Sequence, residues 1–77
     1  MDALYIKARA WLNGATRQQI RKVMHEGMFS RTQKEITIMR RKGITNQAIA
    51  LRLHCDVRTI DREVTKIYKI VSKIIVL

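Results

Sequence analysis

The chain has no proline, three glycines, one cysteine, and only one tryptophan, two tyrosines and one phenylalanine. Each scarcity excludes something. Without proline, no helix is forced to kink or stop at a residue that lacks an N–H. A lone cysteine, Cys55, cannot close an internal disulfide, and it points to a reducing compartment. With so few aromatic rings, stacking on unpaired bases is not the expected mode of action. Acidic residues are also scarce: 6 stand against 16 lysines and arginines, for a net charge of +10. The longest apolar run, Ile74 to Leu77 after Lys73, is far too short to cross a bilayer, and no secretory leader pattern is present. The expectation is a cytoplasmic, nucleoid-associated protein with no membrane partner.

What is present is a small basic chain rich in helix formers. At 77 residues it is expected to be a single helical domain. A core of this size is marginal, and association with a partner is a common remedy. The positive field attracts polyanions whatever the fold. Few segments alternate as strands do, so the fold class is all-α, with about five helices.

The helix ends can be read directly. Asp2 is placed to cap a first helix, "ALYIKARAWL", whose inner face carries Leu4, Ala8, Trp11 and Leu12 and which stops at Asn13-Gly14. Thr16 with Gln19 forms a capping box for a second helix, and Ala15 with Ile20 a hydrophobic staple. Ile20, Val23 and Met24 make its buried stripe, and Gly27 is the expected stop. Ser30 with Gln33 opens a third helix, in which Ile36 and Met39 point inward. That helix ends in Arg40-Arg41-Lys42-Gly43, with cations at the negative end of the dipole and a glycine able to turn left-handed. Thr45 caps a fourth helix with an Ile44–Ile49 staple, and Asp56 caps a fifth with a Cys55–Ile60 staple. With no breaker after Asp56, the fifth helix is expected to run from about Val57 nearly to the C-terminus. Residues 1–29 then form an N-terminal helical pair, and residues 30–77 a tri-helical helix-turn-helix with a long last helix.

Residues 35–69, "EITIMRRKGITNQAIALRLHCDVRTIDREVTKIYK", resemble the DNA-binding domain of the LuxR/GerE family of bacterial regulators. The matching positions are Glu35-Ile36, Met39, Gly43, Ile44, Thr45-Asn46, Ile49-Ala50, Leu53, Cys55-Asp56 and Arg58-Thr59-Ile60, with no gap. Counting the Ser30 cap, the likeness covers residues 30–69. It departs at Glu63, where the family usually has histidine, and after residue 69, where the family's helix stops at a glycine and this one runs on. The family's dimer geometry is therefore not carried over.

The resemblance implies that the last helix of the motif, about residues 57–69, lies in the major groove of double-stranded DNA. Its inward residues are then Val57 or Ile60, Val64 and Ile67. Arg58, Asp61, Arg62, Thr65, Lys66 and Lys69 face outward. Arg58 and Arg62 lie one turn apart, and arginine can donate twice to guanine O6 and N7. With Thr59 and Lys66 they form the candidate base-facing set, Lys66 being far enough along to suit phosphate as well. Thr45, Asn46 and Gln47 at the fourth helix N-terminus, with Arg41, Lys42 and Lys69, form the candidate phosphate-facing set. Arg40 adds to the field, and His54 sits in the turn. Asp61 and Glu63 accept from cytosine N4 or orient the arginines. The bland alternative for each charge is a solvated helix face.

Val57, Ile60, Val64, Ile67, Val71 and Ile74 recur at spacings of three and four, as in a coiled-coil seam. Ile67, Ile70, Val71 and Ile74, with Leu77, are the candidate homodimer surface. The competing reading folds this tail back on Tyr5, Trp11 and Leu12. The segment "GATRQQIRKVMH" (14–25) also echoes "GITNQAIALRLH" (43–54). It is either a degenerate second helix-turn-helix, bringing Arg17, Arg21 and Lys22 to DNA, or another short capped helix after a glycine.

No set of residues has the spacing of an active site. His25, His54 and Cys55 are too few and too scattered for zinc, and no acid is placed to orient a Cys–His pair. The chain is read as a non-enzyme with no catalytic residue, metal or cofactor. The leading expectation is a sequence-specific, duplex-DNA-binding regulator of transcription. A DNA-binding accessory of recombination, packaging or replication would use the same motif. A third class is a helical protein-binding module, its apolar tail docked on a partner such as RNA polymerase.

Overall fold

The computed structural model describes the backbone of residues 3–75 and the side chains of residues 5–75. Asp2, Leu77 and the side chain of Leu4, assigned above to a cap, the apolar tail and a helix face, lie outside the described residues. Among the described residues five helices follow in order: α1 (Ala3–Gly14), α2 (Arg17–Glu26), α3 (Arg31–Arg41), α4 (Asn46–Leu53) and α5 (Val57–Ile75). Among the described residues there is no strand, and no helix is long and apolar enough to cross a membrane.

The helix starts match the cap residues. Thr16 Oγ1 accepts the Gln19 N–H at 3.2 Å, and Gln19 Oε1 accepts the Thr16 N–H at 2.8 Å. Ser30 and Gln33 repeat the exchange at 3.1 and 2.9 Å. Thr45 Oγ1 takes the Ala48 N–H at 3.2 Å, and Asp56 Oδ1 takes the Arg58 N–H at 2.8 Å. Each bond satisfies a donor that the helix itself leaves unpaired.

The helix ends share one device. α2, α3 and α4 each close with a left-handed residue, then an apolar residue, then the cap of the next helix. The three connectors are Met28-Phe29-Ser30, Gly43-Ile44-Thr45 and His54-Cys55-Asp56, with φ of 53°, 84° and 55° at the first residue. In each, the apolar residue's N–H reaches back to a carbonyl inside the helix: Phe29 to Met24 at 3.0 Å, Ile44 to Met39 at 3.1 Å, Cys55 to Ala50 at 3.0 Å. The chain thus passes from α2 to α3 and from α3 to α4 in four residues, and from α4 to α5 in three, with carbonyls of each last turn taken up by these back-bonds.

Gly27 is not the left-handed stop that its type suggests. Its φ is −80°, ordinary helical backbone. Its value is space: a Cβ built there would sit 2.5 Å from Ile70 Cγ2 and 2.9 Å from the Phe29 ring. α5 passes so close to the end of α2 that only glycine fits, and the left-handed turn falls on exposed Met28 instead.

α5 is the hub. It packs against α1, α3 and α4, and more lightly against α2, while α3 also touches α4. α1 finds its main partner in α5, not in its chain neighbour α2, so the N-terminal pair is part of one core. Ile36, Ile49, Ile60 and Val71 are its largest fully buried side chains.

This packing removes two residues from the surface expected to pair two copies. Ile67 is 2% and Val71 0% exposed within the single chain, so neither is free to meet a second subunit. Ile70 and Ile74 are half-buried against the same core, Ile70 lying on Gly27. The three-and-four spacing of α5 is satisfied inside the subunit, as the fold-back alternative had it. The Tyr5 and Tyr68 rings meet with centroids 6.4 Å apart, and Ile74 shares a surface hollow with Trp11.

Candidate nucleic-acid interface

α5 divides as its sequence pattern requires. Ile60, Val64 and Ile67 are buried, while Arg58, Asp61, Arg62, Thr65, Lys66 and Lys69 are exposed on the other side. Thr59 is exposed beside them. Arg58 Nε lies 3.8 Å from Asp56 Oδ1, the oxygen that also caps the helix. Lys66 Nζ lies 3.5 Å from Glu63 Oε1. Such solvated pairs are weak, worth roughly 0–1 kcal/mol, and can exchange for another anion. Arg62 and Lys69 have no polar partner among the described residues.

The face is tied to α3 and α4 by a polar chain that the sequence did not reveal. Arg40, half-buried on α3, donates through Nη2 to the Tyr68 hydroxyl at 3.0 Å and through Nη1 to Asn46 Oδ1 at 3.2 Å. Asn46 Nδ2 then donates to Asp61 Oδ1 at 2.8 Å. One arginine therefore ties α3 to the first turn of α4 and to the middle of α5, and Asn46 continues the tie to the second turn of α5. A second strut runs from Gln33 Nε2 to Glu63 Oε2 at 3.1 Å. Asp61 and Glu63, expected to read cytosine or orient arginines, act here as anchors for α4 and α3. The oxygen of Glu63 not held by Gln33 pairs Lys66.

Two phosphate-facing assignments change with this geometry. Arg41 turns onto the end of α1, its Nη1 donating to the Leu12 carbonyl at 3.3 Å and its Nη2 to the Ala15 carbonyl at 2.7 Å. It braces α3 against an otherwise unpaired helix C-terminus, with both terminal nitrogens engaged by carbonyls. The side chain of Asn46 is consumed by Arg40 and Asp61. What remains at the start of α4 is the exposed side chains of Thr45 and Gln47, together with the backbone N–H groups of the first turn. Lys42, at the end of α3, is exposed. His54 occupies the left-handed cap of α4 with its side chain in solvent.

The outward face therefore gathers Arg58, Thr59, Arg62, Lys66 and Lys69 on one helix. The tie that sequence reasoning missed joins residues 15 and 28 positions apart, a separation that no helical period signals. Comparison with protein-family models, with curated proteins and with solved structures returned no match.

Proposed function

We propose that the chain is a sequence-specific double-stranded DNA-binding regulator of transcription, reading the major groove with the outward side of α5. The observation that carries this reading is the division of α5. Ile60, Val64 and Ile67 bury one side, and the other presents Arg58, Arg62, Lys66 and Lys69 on a helix clamped to α3 and α4. A basic helix at the end of a short three-residue turn is the geometry that a groove reader requires.

In this reading Arg58 and Arg62 donate to guanine edges, and Thr59 meets a thymine methyl or a phosphate. Lys66 lies at the border between base and backbone, and Lys69 contacts phosphate. Thr45, Gln47 and the free N–H groups of α4 clamp the flanking strand, with Lys42 adding charge. Pairing of two copies on a two-fold site uses surface other than Ile67 and Val71, which the core occupies.

The test is selection of bound sequences from a random duplex library, followed by shift assays at rising salt. A recovered consensus bound well above random duplex supports the reading. Binding that is uniform over all sequences contradicts it, and so does no binding at low salt. The position of the consensus relative to promoters separates a regulator from an accessory of recombination, packaging or replication.

A further inference from the structure

A second surface, between α2 and the end of α3, shares only Lys42 with the proposed DNA face and does not depend on the DNA reading. Residues 17, 20, 21 and 24 fall on one side of α2, being three, four and seven apart. Ile38 and Lys42 lie four apart at the end of α3. Together these two sides line an open groove of about 450 Å³. Its floor is apolar, made of Ile20, Met24 and Ile38. Ile38 is 45% exposed, a large apolar side chain left in water. Its border is cationic: Arg17, Arg21 and Lys42 are all exposed, and Arg41 closes one end while held by the Leu12 and Ala15 carbonyls. Among the described residues no acidic one lines it.

We infer that this groove docks an amphipathic helix of a partner protein, one with Asp or Glu along the borders of a Leu, Ile or Met stripe. Two features select that occupant. The cations require an anionic border, and none of the groove's own residues supplies it. The apolar floor requires an apolar stripe, which a phosphate backbone lacks, so duplex DNA would satisfy the border and leave Ile38 and Met24 uncovered. A helix fits because it presents one apolar stripe between charged borders, the complement of an apolar floor between cations. Among the described residues no strand edge is present to which an extended peptide could add.

The test uses the full chain, ¹⁵N-labelled, and a synthetic amphipathic peptide of about 18 residues, long enough to hold a helix, with a leucine stripe bordered by glutamates. Control peptides replace the leucines by serine or the glutamates by lysine. The expected result is amide shifts confined to α2 and α3 with the Leu/Glu peptide and none with either control. Ile38→Glu and Arg21→Glu, both at solvent-exposed positions, should each weaken binding about tenfold or more, with circular dichroism unchanged. Arg62→Ala should leave peptide affinity as it was, which separates this site from the α5 face. The inference is overturned if the Leu/Glu peptide does not bind, or if its shifts map to α5. Equal binding by either control, or insensitivity to Ile38→Glu, overturns it as well. If duplex DNA moves the α2 and α3 signals and displaces the peptide, the groove belongs to nucleic acid and the inference also fails.

Discussion

Asn46 Nδ2 donates to Asp61 Oδ1 across 2.8 Å, joining the first turn of α4 to the second turn of α5. Arg40 holds the other end of Asn46 and also the Tyr68 hydroxyl, so three helices meet on one half-buried guanidinium. The arrangement orients the basic side of α5 without spending any of its arginines. Arg40→Met keeps the apolar stem and removes every donor. It should destabilise the fold by about 1–3 kcal/mol in urea titration, since a charged donor bonding to two acceptors is lost. Tyr68→Phe removes only one acceptor and should cost about 0.5–1.5 kcal/mol. Equal stability of the Arg40 variant and the parent would mean that the tie is incidental.

The pair Gly27 and Met28 makes the opposite demand from the one their residue types suggest. Gly27→Ala drives a methyl into Ile70 Cγ2 and should destabilise by about 1–3 kcal/mol, because a β-branched stem on a packed helix has little room to retreat. Met28→Gly should leave stability unchanged or raise it by up to roughly 1 kcal/mol, because the left-handed backbone there strains any side chain. Thermal melts of the two variants check the order.

Tyr68, Val71 and Ser72, near the end of α5, belong to the subunit core. A chain truncated after Tyr68 loses Val71, which is fully buried, and should lose helical circular dichroism and cooperative melting. Val71→Ala should cost on the order of 2 kcal/mol for the same reason. A truncated chain that stays folded would show that the α1–α5 packing beyond residue 68 is dispensable.

Much of the fold was legible because it is written in local chemistry. Thr16, Ser30, Thr45 and Asp56 each cap the helix that follows, a relation spanning two or three residues. Gly43 takes the left-handed position that its type favours. Met28 and His54 take the same conformation without advertising it, because their turns are fixed by the backbone bonds of Phe29 and Cys55, not by the side chain at the bend. The inner and outer residues of α5 followed from the 3.6-residue period. That period could not say whether the apolar line beyond Ile67 meets a second copy or α1, since both solutions bury the same stripe. Arg41 misled for a related reason: a cation at a helix end suits a phosphate and a neighbouring helix's carbonyls alike, and α1 happens to end beside it.

Lys69 separates backbone contact from base contact. Lys69→Ala should weaken cognate and random duplex about equally and lower the slope of log affinity against log salt by roughly one unit. Arg41→Ala, by contrast, should lower stability and leave that slope nearly unchanged, because its guanidinium is committed to the Leu12 and Ala15 carbonyls. Competition binding at several salt concentrations distinguishes the two.

Arg62 offers the most direct measurement. Its exposed guanidinium stands on the outward side of α5, with no polar partner among the described residues. The affinities of the parent chain and of Arg62→Ala are compared for the selected duplex and for random duplex at one fixed salt concentration. The account predicts that the substitution costs about 1–3 kcal/mol on the selected duplex and much less on random duplex, so that discrimination collapses. Discrimination that survives intact in Arg62→Ala, and again in the double variant with Arg58→Ala, would contradict major-groove reading by α5.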